Sequence, residues 1–285
     1  MICRFVVLSS AAVLLCAQQP AISNADIRQI TANSGLEQAI RSVTDSVKSA
    51  AWIGYAVPTI PGDQNSCCWN DNGRGCGLEG ERRRDGVTSN PGPVKLEGPT
   101  HVVILQRFEP GTAEKLRVFS PDCPLDAGGL AFYWVSNVKA SESVSLLTRR
   151  AVRDQENGVR SKISEAAVHA IAMHAGPEAQ AALIRFANDQ QSESTRKSAL
   201  FWLGSSRGKE GYSAVLKAVR EDPSDKVREH AVFALMQSKE PEAIPEILRI
   251  AKADKATGVR KRAMFWLAQS RDRRAVEFFE QVLNK

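Results

Sequence analysis

The sequence lacks most of the marks by which chemistry is read. It has no His-Glu-x-x-His and no Walker sequence, so the zincin and P-loop chemistries have no footing. Cys-x-x-Cys is absent, which removes the usual thiol–disulfide exchange motif. Histidine is scarce: His101, His169, His174 and His230 are the only four in 285 residues. His169 and His174 stand five apart, a poor spacing for one helical face. No apolar run reaches the ~20 residues of a membrane span. Cysteine is absent after Cys123, so the second half has no covalent staple. These absences leave no residue to assign as catalytic, cofactor-binding or metal-ligating.

Two local patterns look like sites and are not read as such. Gly75, Gly77 and Gly80 spell G-x-G-x-x-G. A cysteine sits inside it, no strand precedes it and Glu81-Arg82-Arg83-Arg84 follows, so it is a glycine-rich surface turn rather than a dinucleotide site. Asp63, Asn65, Asn70, Asp71 and Asn72 gather oxygen donors, but not in the order of a calcium loop. Ordinary turn chemistry accounts for them.

What is present begins with a leader. Arg4 precedes an apolar run from Phe5 to Leu15, broken only by Ser9 and Ser10, and a small, polar stretch follows. This is the layout of a secretory signal peptide, and it is too short to span a bilayer. Ser23-Asn24-Ala25 fits the small-x-small cleavage rule well and Leu15-Cys16-Ala17 less well, so residues 1–25 are assigned to the leader. The expected location is the periplasm or the exterior. Val13-Leu14-Leu15-Cys16 faintly resembles a lipoprotein box, but Leu15 occupies the place of a small residue, which argues against a lipid anchor on Cys16.

Cysteine usage agrees with export. Beyond Cys3 and Cys16 the chain has Cys67, Cys68, Cys76 and Cys123, within one 57-residue stretch. In an oxidising compartment that reads as two disulfides stapling one small domain, with three possible pairings. A bridge between neighbours Cys67 and Cys68 would be strained, which pairs each with Cys76 or Cys123. A four-cysteine zinc site lacks its C-x2-C spacings. The net charge of +6 favours acidic partners, and it is too diffuse to argue for nucleic acid.

Residues 26–50 place Leu36, Ile40, Val43 and Val47 at helical spacing, and the segment is expected to be one amphipathic helix. Residues 51–140 change character. Trp52–Val57 is a strand-like run ended by Pro58, residues 61–99 read as a long loop, and His101–Phe108, Ala113–Phe119 and Leu130–Val135 are further strands. A small antiparallel β module with a disulfide-tied loop is expected.

Residues 141–285 carry a repeat. Ala167, Ala199, Ala231 and Ala263 are 32 apart, and four residues past them stand Ile171, Leu203, Leu235 and Leu267. Tyr212, Val215, Leu216 and Val219 return as Ile244, Ile247, Leu248 and Ala251. Each unit is two short amphipathic helices, broken near Gly176-Pro177, Gly208, Pro241 or Asp272. A further helix near Val144–Val152 is expected to cap the first unit. One hairpin cannot bury its own apolar face, so the units must stack.

The 32-residue period, Asp222-Pro223 followed by Val227-Arg228, and the Ala-x-Phe-x-Leu first helix resemble short HEAT-like repeats, the type found in phycobilin lyases and many bacterial scaffold proteins. The resemblance covers about residues 145–285. It implies a C-terminal α-solenoid of four 32-residue hairpins, and with the small antiparallel β module read before it the chain is expected to be α+β. It also implies a macromolecule-binding surface more than an active site. A di-iron hydroxylase of this repeat class would carry His-Glu dipeptides, and the chain has none.

The expected function is therefore an exported scaffold that binds another protein, acidic in character. Arg196, Lys197, Arg228, Arg260 and Lys261 recur at matching repeat positions as a basic ladder, and Trp202 and Trp266 recur beside Phe201, Phe233 and Phe265. Two rivals stand beside it: a lyase-like or oxidoreductase-like enzyme, resting on the repeat resemblance alone, and a cell-wall glycan module built on Trp52, Trp69 and Trp134.

Overall fold

The computed structural model describes residues 19–62, 67, 76–79, 98–110, 112–156, 162–188 and 190–284. Most of the presumed leader, Cys68, Trp69, Gly75, Gly80 and the oxygen-donor cluster Asp63 to Asn72 lie outside them.

The N-terminal half opens with β1 (Ile22–Ser23), β2 (Asp26–Thr31) and α1 (Leu36–Thr44). The expected single helix over 26–50 is thus half right. Leu36, Ile40 and Val43 do form a buried helical face, but Asp26–Thr31 is an edge strand, and Gly35 at φ 99° starts the helix only after it. Leu36 N–H is met by the Glu142 carboxylate at 2.9 Å.

Next come β3 (Ala51–Pro58), β4 (Cys76–Gly77), β5 (His101–Glu109), β6 (Thr112–Phe119), β7 (Leu125–Asp126) and β8 (Ala131–Ser136). Five strands form one sheet in the order β2-β8-β3-β5-β6. β3, β5 and β6 are antiparallel as expected, but β8 runs parallel to both β2 and β3, so the sheet is mixed. A smaller parallel sheet, β1-β7-β4, lies over it.

The main sheet is buried on both faces, which explains why β3 reads as a nearly unbroken apolar run. Ile53, Tyr55, Val57 and Ile104 enter the core shared with the helices. Trp52, Val103, Leu105, Phe132 and Trp134 face the other way, under Cys76, Leu78, Cys123 and Leu125. Gly54 belongs to that packing, because a Cβ there would stand 2.7 Å from Leu105 Cδ2 and 2.9 Å from Phe132 Cζ. Cys67 and Cys123 form a disulfide, and Cys76 is disulfide-bonded as well. Glu79 accepts from Trp52 Nε1 at 2.8 Å and from Arg107 Nε at 2.9 Å, holding the covering segment to the sheet.

Helix α2 (Ala140–Glu156) then leads into α3 (Lys162–Met173), α4 (Pro177–Phe186), α5 (Glu193–Ser206), α6 (Gly208–Glu221), α7 (Asp225–Gln237), α8 (Ala243–Ala253), α9 (Thr257–Gln269) and α10 (Arg273–Leu283). The breaks fall where the sequence places them. Gly176 at φ 100° precedes Pro177 at the first helical position, and Gly208 sits at φ 52°. Ser192, Ser224 and Asp272 cap α5, α7 and α10 by accepting backbone N–H groups. Pro241 stands just before α8 rather than in its first turn.

The odd-numbered helices α3, α5, α7 and α9 lie side by side in one row. Gly204 lets α5 approach α7, since a Cβ there would collide with the Ala234 carbonyl oxygen. One apolar core runs unbroken from the sheet through this row to Ala275 and Phe278. Residue 140 is therefore a change of element, not a gap between two cores. The seam is also hydrogen-bonded: Ile60 N and Thr59 Oγ1 both donate to Met173 O (3.0 and 2.7 Å), and Ala175 N donates to Pro58 O (2.9 Å).

Candidate interaction surface

The repeat spacing sets one side chain per unit at each position of the odd-numbered row. His169, Phe201, Phe233 and Phe265 share one position, and Trp202 and Trp266 the next. Side-by-side packing brings them into a continuous stack. His169 lies on Trp202 at 4.5 Å between ring centroids, Trp202 meets Phe201 edge-on at 4.9 Å, and Phe201 stacks on Phe233 at 5.8 Å. Phe233 stacks on Trp266 at 4.7 Å, and Trp266 meets Phe265 at 5.0 Å. His230 joins from the side at 5.7 Å from Phe233. Most of these rings are half-buried, whereas Phe265 is 49% exposed. Both aromatic rows thus contribute to the core and to the surface at once. Burial pushes the His169 and His230 imidazoles below the usual histidine range, for His230 with help from nearby Lys197.

The basic ladder divides in two. Lys197 is half-buried and lies 3.9 Å from Glu193, and Lys261 is exposed. Arg262, also exposed, sits over the Phe265 ring and 3.8 Å from Glu229. Arg196 and Arg228 do not belong to this surface: they are 5% and 2% exposed. Arg196 donates to both oxygens of Asp222 (2.8 and 3.0 Å) and to Gln191 O. Arg228 donates to both oxygens of Asp254 (2.7 and 2.5 Å), to Asp225 and to Val219 O. Asp222 and Asp254 follow α6 and α8 and also accept the N–H of Ser224 and Ala256. Each arginine therefore ties the first helix of its hairpin to the end of the second and to the turn into the next unit. They are internal struts, and the expectation that they contact a partner is corrected. Arg260, at the same repeat position, is half-buried and donates to Asp254 O (2.7 Å) and Thr257 Oγ1 (2.9 Å).

A second polar cluster went unread in the sequence. Tyr55, Ser143 and His174 form a buried chain, with Tyr55 Oη 2.9 Å from Ser143 Oγ and Ser143 Oγ 2.8 Å from His174 Nε2. His174 Nδ1 is 2.6 Å from Ala170 O, which can only accept, so Nδ1 carries the proton. Nε2 then accepts from Ser143, and Ser143 accepts from Tyr55. Burial drops His174 to about 4 and raises Tyr55 to about 12, so both stay neutral. The Ser143–His174 spacing is that of a nucleophile and its base. Yet both side chains are fully buried and a main-chain carbonyl stands where a triad has its carboxylate, so the pair has no route to a substrate. Arg207 closes the cluster by donating to Ile171 O, Ala172 O and His174 O at 2.8–3.1 Å. These groups join β3, α2, α3 and the end of α5.

Two of the three tryptophans of the glycan rival are not on the surface, Trp52 being fully buried and Trp134 4% exposed, and Trp69 lies outside the described residues. Among the described residues no group of three or more His, Cys, Asp or Glu is gathered for a metal, and no helix is long and apolar enough to cross a membrane.

Comparison with known proteins finds a family match in the last helices only. A family model described as HEAT repeats matches residues 212–285, which supports HEAT-like repeats in that stretch. No curated protein matches the chain. Among solved structures it is similar to human deoxyhypusine hydroxylase in complex with glycerol, at 19% identity and a TM-score of 0.35, over 45% of this chain and 43% of that one.

Proposed function

We propose that this protein is an exported scaffold. Its four helical hairpins stack as a short solenoid, and the exposed edge of the odd-numbered helix row binds an acidic segment of another protein. The observation that carries this reading is the aromatic stack from His169 to Phe265, half open to solvent and flanked by Lys197, Lys261 and Arg262. Half-buried aromatics held in place by their neighbours give contact area at small entropic cost, and arginine beside them is the usual company of binding hot spots. The flanking cations favour a negatively charged partner and predict salt-sensitive binding. HEAT repeats commonly serve protein interaction, which agrees with this use. Export is supported by the apolar run after Arg4 and by a disulfide chemistry that persists in oxidising compartments.

The test is capture from envelope extract by wild-type protein and by a Lys197→Glu/Lys261→Glu variant, with the captured protein identified and its acidic segment resynthesised. Binding that weakens at least tenfold in the variant, and with rising salt, supports the reading. Equal binding by both proteins would remove this surface from consideration.

A further inference from the structure

The first strand lies inside the stretch that the better-fitting cleavage rule would discard. Ser23-Asn24-Ala25 would end the leader immediately before Asp26, where the β2–β8 ladder begins with Asp26 opposite Ala131. Yet the residues before that point are built into the fold. Leu125 N donates to Ala21 O (2.9 Å), Ala127 N to Ser23 O (3.1 Å) and Gly129 N to Asn24 O (2.8 Å). Ser23 Oγ adds a bond to Leu125 O at 3.1 Å. Ile22 and Ala25 pack against the apolar layer that covers Trp52 and Phe132, and Pro20 is buried. Gln19 accepts from Gln29 Nε2 at 2.7 Å.

Removing residues 1–25 would strip β1 from β7. Leu125 and Ala127 are 1% and 0% exposed with this strand in place, so its loss would turn β7 into a sheet edge and uncover the apolar layer beneath Ile22 and Ala25. Three backbone hydrogen bonds and the apolar cover supplied by Ile22, Ala25 and Pro20 would be lost together, which would loosen the whole covering sheet. A leader that can be removed without loss must end upstream of Gln19. Between the apolar run and that point stand Cys16, Ala17 and Gln18, and Ala17 is the residue a leader peptidase accepts before the cut.

Resting on the export reading above, we infer that the leader is hydrolysed at the Ala17–Gln18 bond. Water divides across the peptide, leaving the carboxylate on Ala17 and the new α-amine on Gln18. The mature chain keeps Gln19–Ala25 as its first strand and linker. Leu15, three residues before the bond, suits the peptidase less well than Ser23 would, and the fold outweighs that preference.

The experiment is to express the full chain in a host with an export pathway, recover the envelope fraction, reduce it, and read the N-terminus by intact mass and sequencing. The expected start is Gln18 or its cyclised pyroglutamyl form. A start at Asp26 overturns the inference and leaves export standing, as does a lipid-modified Cys16. An unprocessed Met1 overturns both. Ala17→Leu is expected to accumulate precursor, while Ala25→Leu is processed normally; the reverse pattern overturns the assignment. A chain made to start at Asp26 behind an unrelated leader is expected to melt well below the chain starting at Gln18, and equal melting would remove the physical reason for the assignment.

Discussion

At the scale of single residues, Arg196 and Arg228 show what a repeat alignment hides. Aligned by eye they sit beside Lys197 and Glu229 in a charged row. On the helix they share a face with Ala199, Leu200 and Leu203, or with Ala231, Val232 and Leu235, at spacings of three, four and seven. That spacing was legible in the sequence and marks them as inward. The carboxylates that receive them, Asp222 and Asp254, lie 26 residues on, across a full second helix, and helical periodicity does not reach that far. Truncating one partner of a buried pair leaves the other charge stranded. Arg228→Ala is expected to destabilise the protein by about 3–5 kcal/mol, read from denaturant midpoints. Arg228→Met with Asp254→Leu should recover most of that loss, because the stranded charge is gone; if the double variant is no better than the single one, the pair is not what holds that corner. Lys197→Glu, outside this network, should leave stability nearly unchanged.

At the scale of elements, the helices were readable and the sheet only partly so. Helices α3 to α10 announce themselves within their own 10 to 14 residues through apolar spacing, helped at α5 and α7 by the capping Ser192 and Ser224. Strands β3, β5, β6 and β8 were also visible as apolar runs. Their partners were not: Asp26–Thr31 earns its place by pairing with Ala131–Ser136, a hundred residues away, and nothing local in Asp-Ile-Arg-Gln-Ile-Thr distinguishes it from a helix start. The joint between β3 and α3 was equally invisible, since Tyr55, Ser143 and His174 are each unremarkable alone. That joint has a pH signature. His174 is held at about 4 in the fold against about 6.5 in the unfolded chain, so the unfolded chain takes a proton that the fold refuses. Its contribution is complete above about pH 6.5 and is lost as pH falls towards 4, to a total of about 3 kcal/mol. Unfolding free energies measured from pH 7 to pH 4 should show this slope. His174→Gln should be less stable at pH 7 and lose less on acidification; a parallel pH profile would mean that other groups carry the acid sensitivity.

At the scale of the whole molecule, the continuity of the core decides whether the halves can be separated. The composition change at residue 141 invites a cut there, and a β module carried beside a repeat array is an easy picture to draw. The inner face of the sheet contradicts it. Ile53, Tyr55, Val57 and Ile104 are almost wholly buried, and the core they enter is completed by Leu147, Ala151, Ile171 and Met173 from α2 and α3. Deleting residues 141–285 would uncover that face and remove Ser143 and His174 from Tyr55. At about 25 cal/mol per Å2 of newly exposed apolar surface, the loss outweighs what a small sheet retains, even with its disulfides intact. A fragment of residues 18–140 is therefore expected to aggregate, or to lack near-ultraviolet dichroism from its buried tryptophans. The full chain should melt in one transition, with the tryptophan signal of the sheet and the helical signal lost together. Two separated transitions, with a soluble and ordered fragment, would show that the seam at Pro58, Met173 and Ala175 joins two independent bodies. The binding surface would then have to be argued from the helices alone.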